Sequence, residues 1–328
     1  MRAISMFSGG LDSMIAIKLI TDQNIDVTAV HIKTGFGGTK DITDILQKRA
    51  KMVGADFKVI DVQEEFIQKI LFDPKYGYGK NFNPCIDCHG YMFRVAKGVM
   101  DELGASFIVT GEVVGQRPMS QRADALKQVS TLANDKDEKL ILRPLSAKLL
   151  EPTTPEIKGW VDREKLLDIS GRSREKQLSL AKEYGWSEYE SPGGGCLLTE
   201  AHYSNRIREF ITYDEFSTAD IDLLKFGRHF RLPDKSKLVV GRNKEDNKKL
   251  QNIQSDKYIP IRLPIAGPFS LISKNASQRD KELGAKIAIT YAKSSLAQSY
   301  DVLVGDETIE VSPFESKKEA QEYFFDNR

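Results

Sequence analysis

Strands alternating with helices through the first half of the chain predict an α/β protein built on a parallel sheet covered on both faces. Two further observations shape that expectation. A glycine turn, Ser8-Gly9-Gly10-Leu11-Asp12-Ser13, directly follows the first apolar run, and the pattern becomes mostly helical after Pro152 and mixed after Glu215. The 328 residues therefore divide into a parallel-sheet domain over 1–150, a helical connecting segment over 151–215 and a smaller α+β domain over 216–328.

Ile4-Ser5-Met6-Phe7 is a buried-strand run, and Met14-Ile15-Ala16-Ile17 opens a helix. Val27 to Ile32 forms a second strand, Asp41 to Val53 a helix ending at Gly54, and Phe57 to Ile60 a third strand. Val62 to Leu71 is amphipathic, and Cys88 to Leu103 carries helical spacing stopped by Gly104. Ser106 to Thr110 and Leu140 to Leu142 complete the strands, the latter closed by Arg143-Pro144. Ligands in such sheets bind at the carboxyl ends of strands, where Ser8–Ser13, Ile32–Thr34 and Thr110-Gly111 all fall. Beyond Glu215, strands are expected near 237–241, 258–263, 301–304 and 307–311, with helices near 277–293 and 315–325.

Hydrophobic content of 40% and charged content of 29% describe an ordinary chain with a core. No apolar run approaches the roughly 18 residues of a membrane helix, and Asp12 and Lys18 interrupt any leader-like stretch. A cytoplasmic location without membrane partners is the expectation. The net charge of +1 neither demands nor excludes nucleic acid. Residues 225–249, however, hold nine Lys/Arg against three Asp/Glu, a patch able to bind phosphates or simply to face water.

The glycine turn has a chemical meaning. Two glycines bring backbone N–H groups close to an anion, and the following helix points its free N–H groups and dipole at the same place. Ser8 and Ser13 add hydroxyl donors, and Asp12 is placed to orient the loop or help hold Mg²⁺. The spacing is not that of a Walker loop. It resembles the SGGxDS signature of the PP-loop ATP pyrophosphatases, of the adenine nucleotide alpha hydrolase-like fold. That resemblance implies ATP cleavage between the α and β phosphates, with the adenylyl group activating a carbonyl or carboxylate.

The chain has three cysteines: Cys85 and Cys88 in Asn83-Pro84-Cys85-Ile86-Asp87-Cys88, and Cys196 in a glycine-rich loop. A turn leading into a helix N-terminus favours thiolate, hence nucleophilic sulfur or metal ligation. A zinc site would need a fourth ligand such as His89 or His202. A redox pair of Cys85 and Cys88 leaves Cys196 unexplained. Sulfur transfer uses all three, either with a persulfide on Cys196 and Cys88 as nucleophile, or with the three thiolates holding a [4Fe–4S] cluster open at one iron. The cluster ranks first, persulfide second, zinc third.

The PP-loop, Asn-Pro-Cys-x-x-Cys, Thr110-Gly111-Glu112 and Gly115-Gln116-Arg117-Pro118-Met119-Ser120-Gln121 together resemble the tRNA 2-thiouridylase and 4-thiouridine synthetase families over about residues 1–215. The resemblance implies an ATP site at Ser8, Gly9, Gly10, Leu11, Asp12 and Ser13, with Ile32 and Gly111 lining the adenosine. It places Asn83-Pro84-Cys85 beside the target base, Cys88 as nucleophile, Cys196 as persulfide carrier and Arg117–Gln121 against tRNA. The chain departs from the 2-thiouridylases at Cys85, where Asp is usual, at Glu112, where a Gly-His pair is usual, and in lacking a counterpart of their C-terminal β-barrel. Cys85 moves it towards the cluster-dependent tRNA thiolases. Lys237 to Asn247 is similar to the strand-Gly-Arg-Asn core of the NFACT-R domain, an RNA-associated module, in which Arg242 and Asn243 would contact phosphate and sugar; an ordinary βα turn with an Asn cap has the same pattern.

The expected reaction is tRNA thiolation: ATP adenylates a nucleobase carbonyl oxygen, Mg²⁺ offsets phosphate charge, and sulfur supplied by a cysteine desulfurase, a relay protein or sulfide attacks the carbon. Phe82 and Tyr91 are candidate stacking surfaces for an extruded base, or core aromatics. Arg172, Arg174 and Lys176 read best as a solvated helix face, His31 as a strand residue near the nucleotide and His229 as a surface residue. The alternatives are an adenylating amide synthetase, which gives the cysteines no role, and a non-catalytic RNA-binding protein with a retained nucleotide loop.

Overall fold

The computed structural model describes residues 1–38, 41–189 and 195–325. The chain forms two compact units, Met1–Thr199 and Glu200–Arg328.

In the first unit the order is β1 (Arg2–Met6), α1 (Leu11–Thr21), β2 (Asp26–Lys33), α2 (Thr43–Met52), β3 (Asp56–Asp61) and α3 (Gln63–Phe66), the last continuing through a wide π turn, Ile67–Leu71. Then follow α4 (Cys85–Gly98), β4 (Phe107–Thr110), α5 (Ala123–Leu132), β5 (Ile141–Leu142), α6 (Thr154–Ile157) and α7 (Glu175–Glu183). The five strands are all parallel, in the order β3-β2-β1-β4-β5. Chain direction across the sheet reverses at β1, which creates a crevice at the carboxyl ends of β1 and its neighbours. Met6 pairs with Val30 on one side and Thr110 on the other, so β1 and β4 finish level while β2 runs on to Lys33. Ser8–Ser13, Gly111 and the end of β2 at Ile32–Thr34 therefore share one edge.

Helix α1 is apolar nearly all round, with Leu11, Met14, Ile15, Ala16, Ile17 and Ile20 buried, as befits a helix sandwiched on both sides. Its outer cover comes from the expected connecting segment: Val161, Leu166, Ile169 and Ala181 join the same core as Phe7, Val109 and Leu142. That segment is thus part of the first unit up to Thr199. Helix α4 begins at Cys85, three residues before the expected start, because Cys88 N–H already donates to Pro84 O at 2.8 Å.

The second unit runs α8 (Ala201–Tyr213), α9 (Thr218–Leu223), β6 (Arg228–Arg231), β7 (Lys237–Val240), α10 (Lys244–Gln251), β8 (Tyr258–Arg262), β9 (Ser270–Ser273), α11 (Gln278–Thr290), β10 (Tyr300–Val304), β11 (Glu307–Val311) and α12 (Lys317–Gln321). Its six strands are antiparallel, in the order β11-β10-β8-β9-β7-β6. The unit starts before α8 rather than near residue 215. Helix α8 turns Tyr203 and Arg206 inwards, their polar ends donating to the carbonyls of Ile221, Leu224 and Gly227. Its Glu209 binds both Arg231 on β6 and Lys237 on β7, the latter fully buried. Burial opposes the Glu209 charge, yet those two cations hold its carboxyl below the usual range.

One expectation changes here, and one of two alternatives is seen. His229 is fully buried, not a surface residue; its Nε2 lies 2.8 Å from Phe226 O, and burial pushes its imidazole well below the usual value. Asn243 caps α10 by accepting Asp246 N–H at 2.9 Å, and Arg242 is held by the Asp246 carboxylate at 2.6 Å. Both residues expected to grip RNA are engaged in the turn itself. A Cβ on Gly241 would fall on Asn247 Oδ1, so this glycine permits close packing of that turn.

Candidate active site

Gly9 takes the left-handed conformation, with φ of +74°, and any Cβ there would fall on Leu46 of α2. Arg49, one turn further along α2, donates from Nη1 to Gly9 O at 3.0 Å and so fixes the peptide that makes the turn. Gly10 is extended and precedes the first residue of α1, while Ser13 Oγ donates to Gly10 O at 2.7 Å. The first-turn N–H groups of α1 consequently open on the hollow above the loop, a position suited to an anion. Gly111 closes that hollow from β4: a Cβ there would lie 2.6 Å from Asp12 C and Ser13 N. Ile32 is buried at the end of β2, and His31 Nδ1 is 3.0 Å from Phe7 O.

Asp12 is the polar centre of the loop. Its Oδ2 accepts from Gln116 Nε2 at 2.7 Å, and Gln116 Oε1 in turn accepts from the fully buried Gln177 at 3.2 Å. Its Oδ1 is buried without a hydrogen bond, 3.6 Å from Arg174 Nη2. A carboxylate oxygen that makes no hydrogen bond, beside a phosphate cradle, suits a hard cation in place of its distant Arg174 partner, so Asp12 fits the expected Mg²⁺. Arg174 is not on a solvated face: its side chain is 12% exposed and turned to the loop. Arg172 and Lys176 do face water, the latter paired with Asp168. Sequence periodicity could not separate Arg174, because its environment is set by Asp12, far away in the chain.

The cysteines come from two places. Cys85 and Cys88 occupy the first turn of α4, where the buried Asp87 carboxylate accepts the N–H groups of Lys75 and Tyr76. Asn83 Nδ2 lies 3.1 Å from Cys85 Sγ and 3.7 Å from Met119 Sδ. Cys196 is bridged to Gly37 beyond β2, with Leu197 N–H donating to Phe36 O at 2.9 Å. Burial pushes the Cys88 thiol well up, and Cys196, Cys85 and Asp87 push it further. Residues 190–194 of the glycine-rich loop lie outside the described residues. Among the described residues, no group of three or more His, Cys, Asp or Glu side chains is arranged to hold a metal ion.

Comparisons with known proteins agree with this layout. Residues 2–76 match the model of the argininosuccinate synthase N-terminal HUP domain, and residues 227–324 match that of the NFACT protein RNA binding domain. The first unit has a HUP-like PP-loop fold. Curated relatives include the tRNA-specific 2-thiouridylase MnmA of Clostridioides difficile, 25% identical over 62% of this chain and 56% of that protein. The MnmA of Listeria monocytogenes is 22% identical over 70% of this chain and 61% of its own length. The chain thus spans about three fifths of the curated relatives it matches. Among solved structures, a 4-thiouridine synthetase–RNA complex with bound ATP is similar at 19% identity, with a TM-score of 0.40, over 56% of this chain and 40% of that one.

Glu112 of the PP-loop unit, next to Gly111, is a charge that sequence reading noted only as a departure. It is buried, accepting from Arg143 Nε at 3.0 Å, with His89 Nδ1 at 2.7 Å from its other oxygen. Burial raises its carboxyl, but Arg143 and His89 outweigh it and hold the group below its ordinary value. Such a group stabilises the fold above its unfolded pKa, roughly 4.3, and that contribution disappears as pH falls through the depressed folded value. Glu112→Leu strands Arg143, and urea unfolding should show a loss of about 3–5 kcal/mol. Unchanged stability in that variant would remove the network from the account.

The aromatic expectations also resolve. Phe82 and Tyr91 are 6% and 3% exposed, core residues rather than open stacking surfaces. Phe82 stacks on Tyr78 at 4.6 Å, and Tyr91 packs on Phe66 with its hydroxyl on Glu65. Tyr78, like Phe72 on the other side of Phe82, is exposed.

Proposed function

We propose that the protein thiolates a tRNA base at the expense of ATP. The nucleobase carbonyl oxygen attacks the α-phosphorus; the O–P bond forms and pyrophosphate leaves. A sulfur nucleophile at Cys85, Cys88 and Cys196 then attacks the carbon, and the oxygen departs with AMP. What supports this reading is that Cys85 and Cys88 open α4 while Cys196 bridges Gly37 just beyond β2, whose end borders the PP-loop. Cys88 is linked to that loop through its neighbour: His89 meets Glu112, and the adjoining Gly111 packs on Asp12 and Ser13.

In this reading Ser8, Gly9, Gly10, Leu11, Asp12 and Ser13 bind the phosphates, with Ile32 and Gly111 beside the adenosine. Mg²⁺ at Asp12 would offset phosphate charge. A [4Fe–4S] cluster on the three cysteines would present sulfur on an open iron, and a persulfide on Cys196 would present it without metal. The C-terminal unit, matching an RNA binding domain, would dock tRNA. A cysteine desulfurase, relay protein or sulfide would supply sulfur in the cytoplasm.

Mass spectrometry of tRNA nucleosides from cells lacking the protein should reveal one missing thionucleoside, restored by the intact gene. An unchanged nucleoside profile would reject thiolation and favour the amide-synthetase or non-catalytic alternatives.

A further inference from the structure

A short stretch ahead of α7 brings a cation to the PP-loop. Gly171, at φ of +78°, donates its N–H to Val114 O at 2.8 Å and so ties this stretch to the segment that leaves β4. Arg174 is the N-cap residue of α7, and Leu178 N–H donates to its carbonyl at 2.9 Å. Gln177 lies three residues on, so the two side chains are neighbours at the head of the helix. The fully buried Gln177 reaches Asp12 through Gln116 Oε1. Arg174 approaches it directly, but its Nη2 stops 3.6 Å from Asp12 Oδ1, beyond hydrogen-bond distance. Asp12 Oδ1 and Arg174 Nε are both buried with no hydrogen-bond partner among the described residues.

We propose that Arg174 is a phosphate-binding residue of this cradle, which rests against Asp12 in the absence of nucleotide and transfers to the polyphosphate of ATP when it arrives. The proposal rests on the ATP half of the thiolation reading and needs nothing of its sulfur half. Two opposite charges that face each other without a hydrogen bond each leave a buried polar atom unsatisfied, which is costly. A metal-bound polyphosphate supplies the complement of both at once. The cation suits Asp12 Oδ1, and phosphate oxygens suit the planar guanidinium fork. Helix α7 is anchored through Ala181 in the core that buries α1, so the exchange is a swing of the arginine side chain and not of the helix. The pair also orders the events. While Arg174 lies against Asp12, a divalent cation arriving alone meets a positive neighbour, and only phosphate draws that neighbour away.

The experiment compares the full chain with Arg174→Met, which loses the charge but keeps a long side chain, and Arg174→Lys, which keeps the charge and loses the fork. Binding of α,β-methylene-ATP and of AMP is titrated by calorimetry in the presence of Mg²⁺. Binding of Mn²⁺ without nucleotide is followed by its paramagnetic resonance signal. Arg174→Met should bind the analogue about 10- to 100-fold more weakly and AMP as wild type does, because only the analogue carries β and γ phosphates. It should also bind Mn²⁺ about 10-fold more tightly, since the positive neighbour of Asp12 is gone. Arg174→Lys should fall between wild type and Arg174→Met for the analogue and keep the weak Mn²⁺ binding of wild type. An equal loss of analogue and AMP overturns the proposal, because Arg174 would then only shape the loop. Undiminished analogue binding, or Mn²⁺ affinity unchanged in Arg174→Met, overturns it too. Should Arg174→Met fail to fold, the ratio of analogue to AMP affinity in Arg174→Lys decides in the same way. Wild-type protein that binds neither nucleotide removes the ATP reading together with this proposal, whereas failure of the variants alone to discriminate leaves the ATP reading in place.

Discussion

Cys196→Ala is expected to abolish tRNA thionucleoside formation while leaving ATP binding intact. The separation follows from where the residue sits. Cys196 bridges Gly37, beyond the end of β2, and its neighbour Leu197 donates to Phe36, so it belongs to a different segment from the PP-loop. Its removal takes one sulfur from the group around Cys88 without touching Gly9, Asp12 or Gly111. Burial and the neighbouring sulfurs push the Cys88 thiol up, so losing Cys196 should make Cys88 easier to ionise. Sulfur chemistry should nevertheless fail, because Cys85 and Cys88 would lack the third sulfur that carries the persulfide or completes the cluster's ligand set. Complementation of a deletion strain with the variant, read by nucleoside mass spectrometry, is the measurement. Full thiolation would remove both sulfur-transfer versions. Anaerobic purification separates those versions: iron and sulfide in wild type, both lost in Cys196→Ala, identify the cluster, and sulfane sulfur without iron identifies the persulfide.

How much of this was legible in the sequence depends on how local the determining contact is. The glycine turn of Ser8–Ser13 and the strands on either side were readable because a tight turn and a buried run are both coded by neighbours. The parallel sheet followed from alternation alone. Strands β6 and β9 were not foreseen: each has four residues, and Arg228, Arg231, Ser270 and Ser273 give them polar ends. The unit boundary was displaced because α8 looks like any amphipathic helix until Glu209 is seen to pair with Arg231 and Lys237. Arg174, Glu112 and Gln116 were hidden or undervalued for the same reason. Each derives its meaning from a partner 31 to 162 residues away, Asp12 or Arg143, and no periodicity records such a pairing.

Gly111→Ala should eliminate ATP binding, and its comparison with Gly10→Ala separates loss of the cradle from loss of the ligand. At Gly111 the new Cβ would meet backbone, Asp12 C and Ser13 N, at 2.6 Å. Reaching ordinary contact at 3.4 Å requires a shift of about 0.8 Å in either β4 or the loop. Both are anchored, β4 by its register with β1 and the loop by Arg49 and Gln116. A displacement of that size in a positioning element commonly costs about 100-fold in activity, besides about 1–3 kcal/mol of overpacking in the fold. Gly10 differs. It is extended, at φ of −78°, and its Cβ would meet only Ser8 Oγ, at 3.5 Å. Gly10→Ala should therefore melt like wild type. If it also loses ATP, the methyl group occupies the volume claimed by phosphate, and the hollow above α1 is the nucleotide site. If it binds ATP normally while Gly111→Ala does too, the anion cradle does not lie between these glycines, and adenylation at this edge of the sheet is refuted.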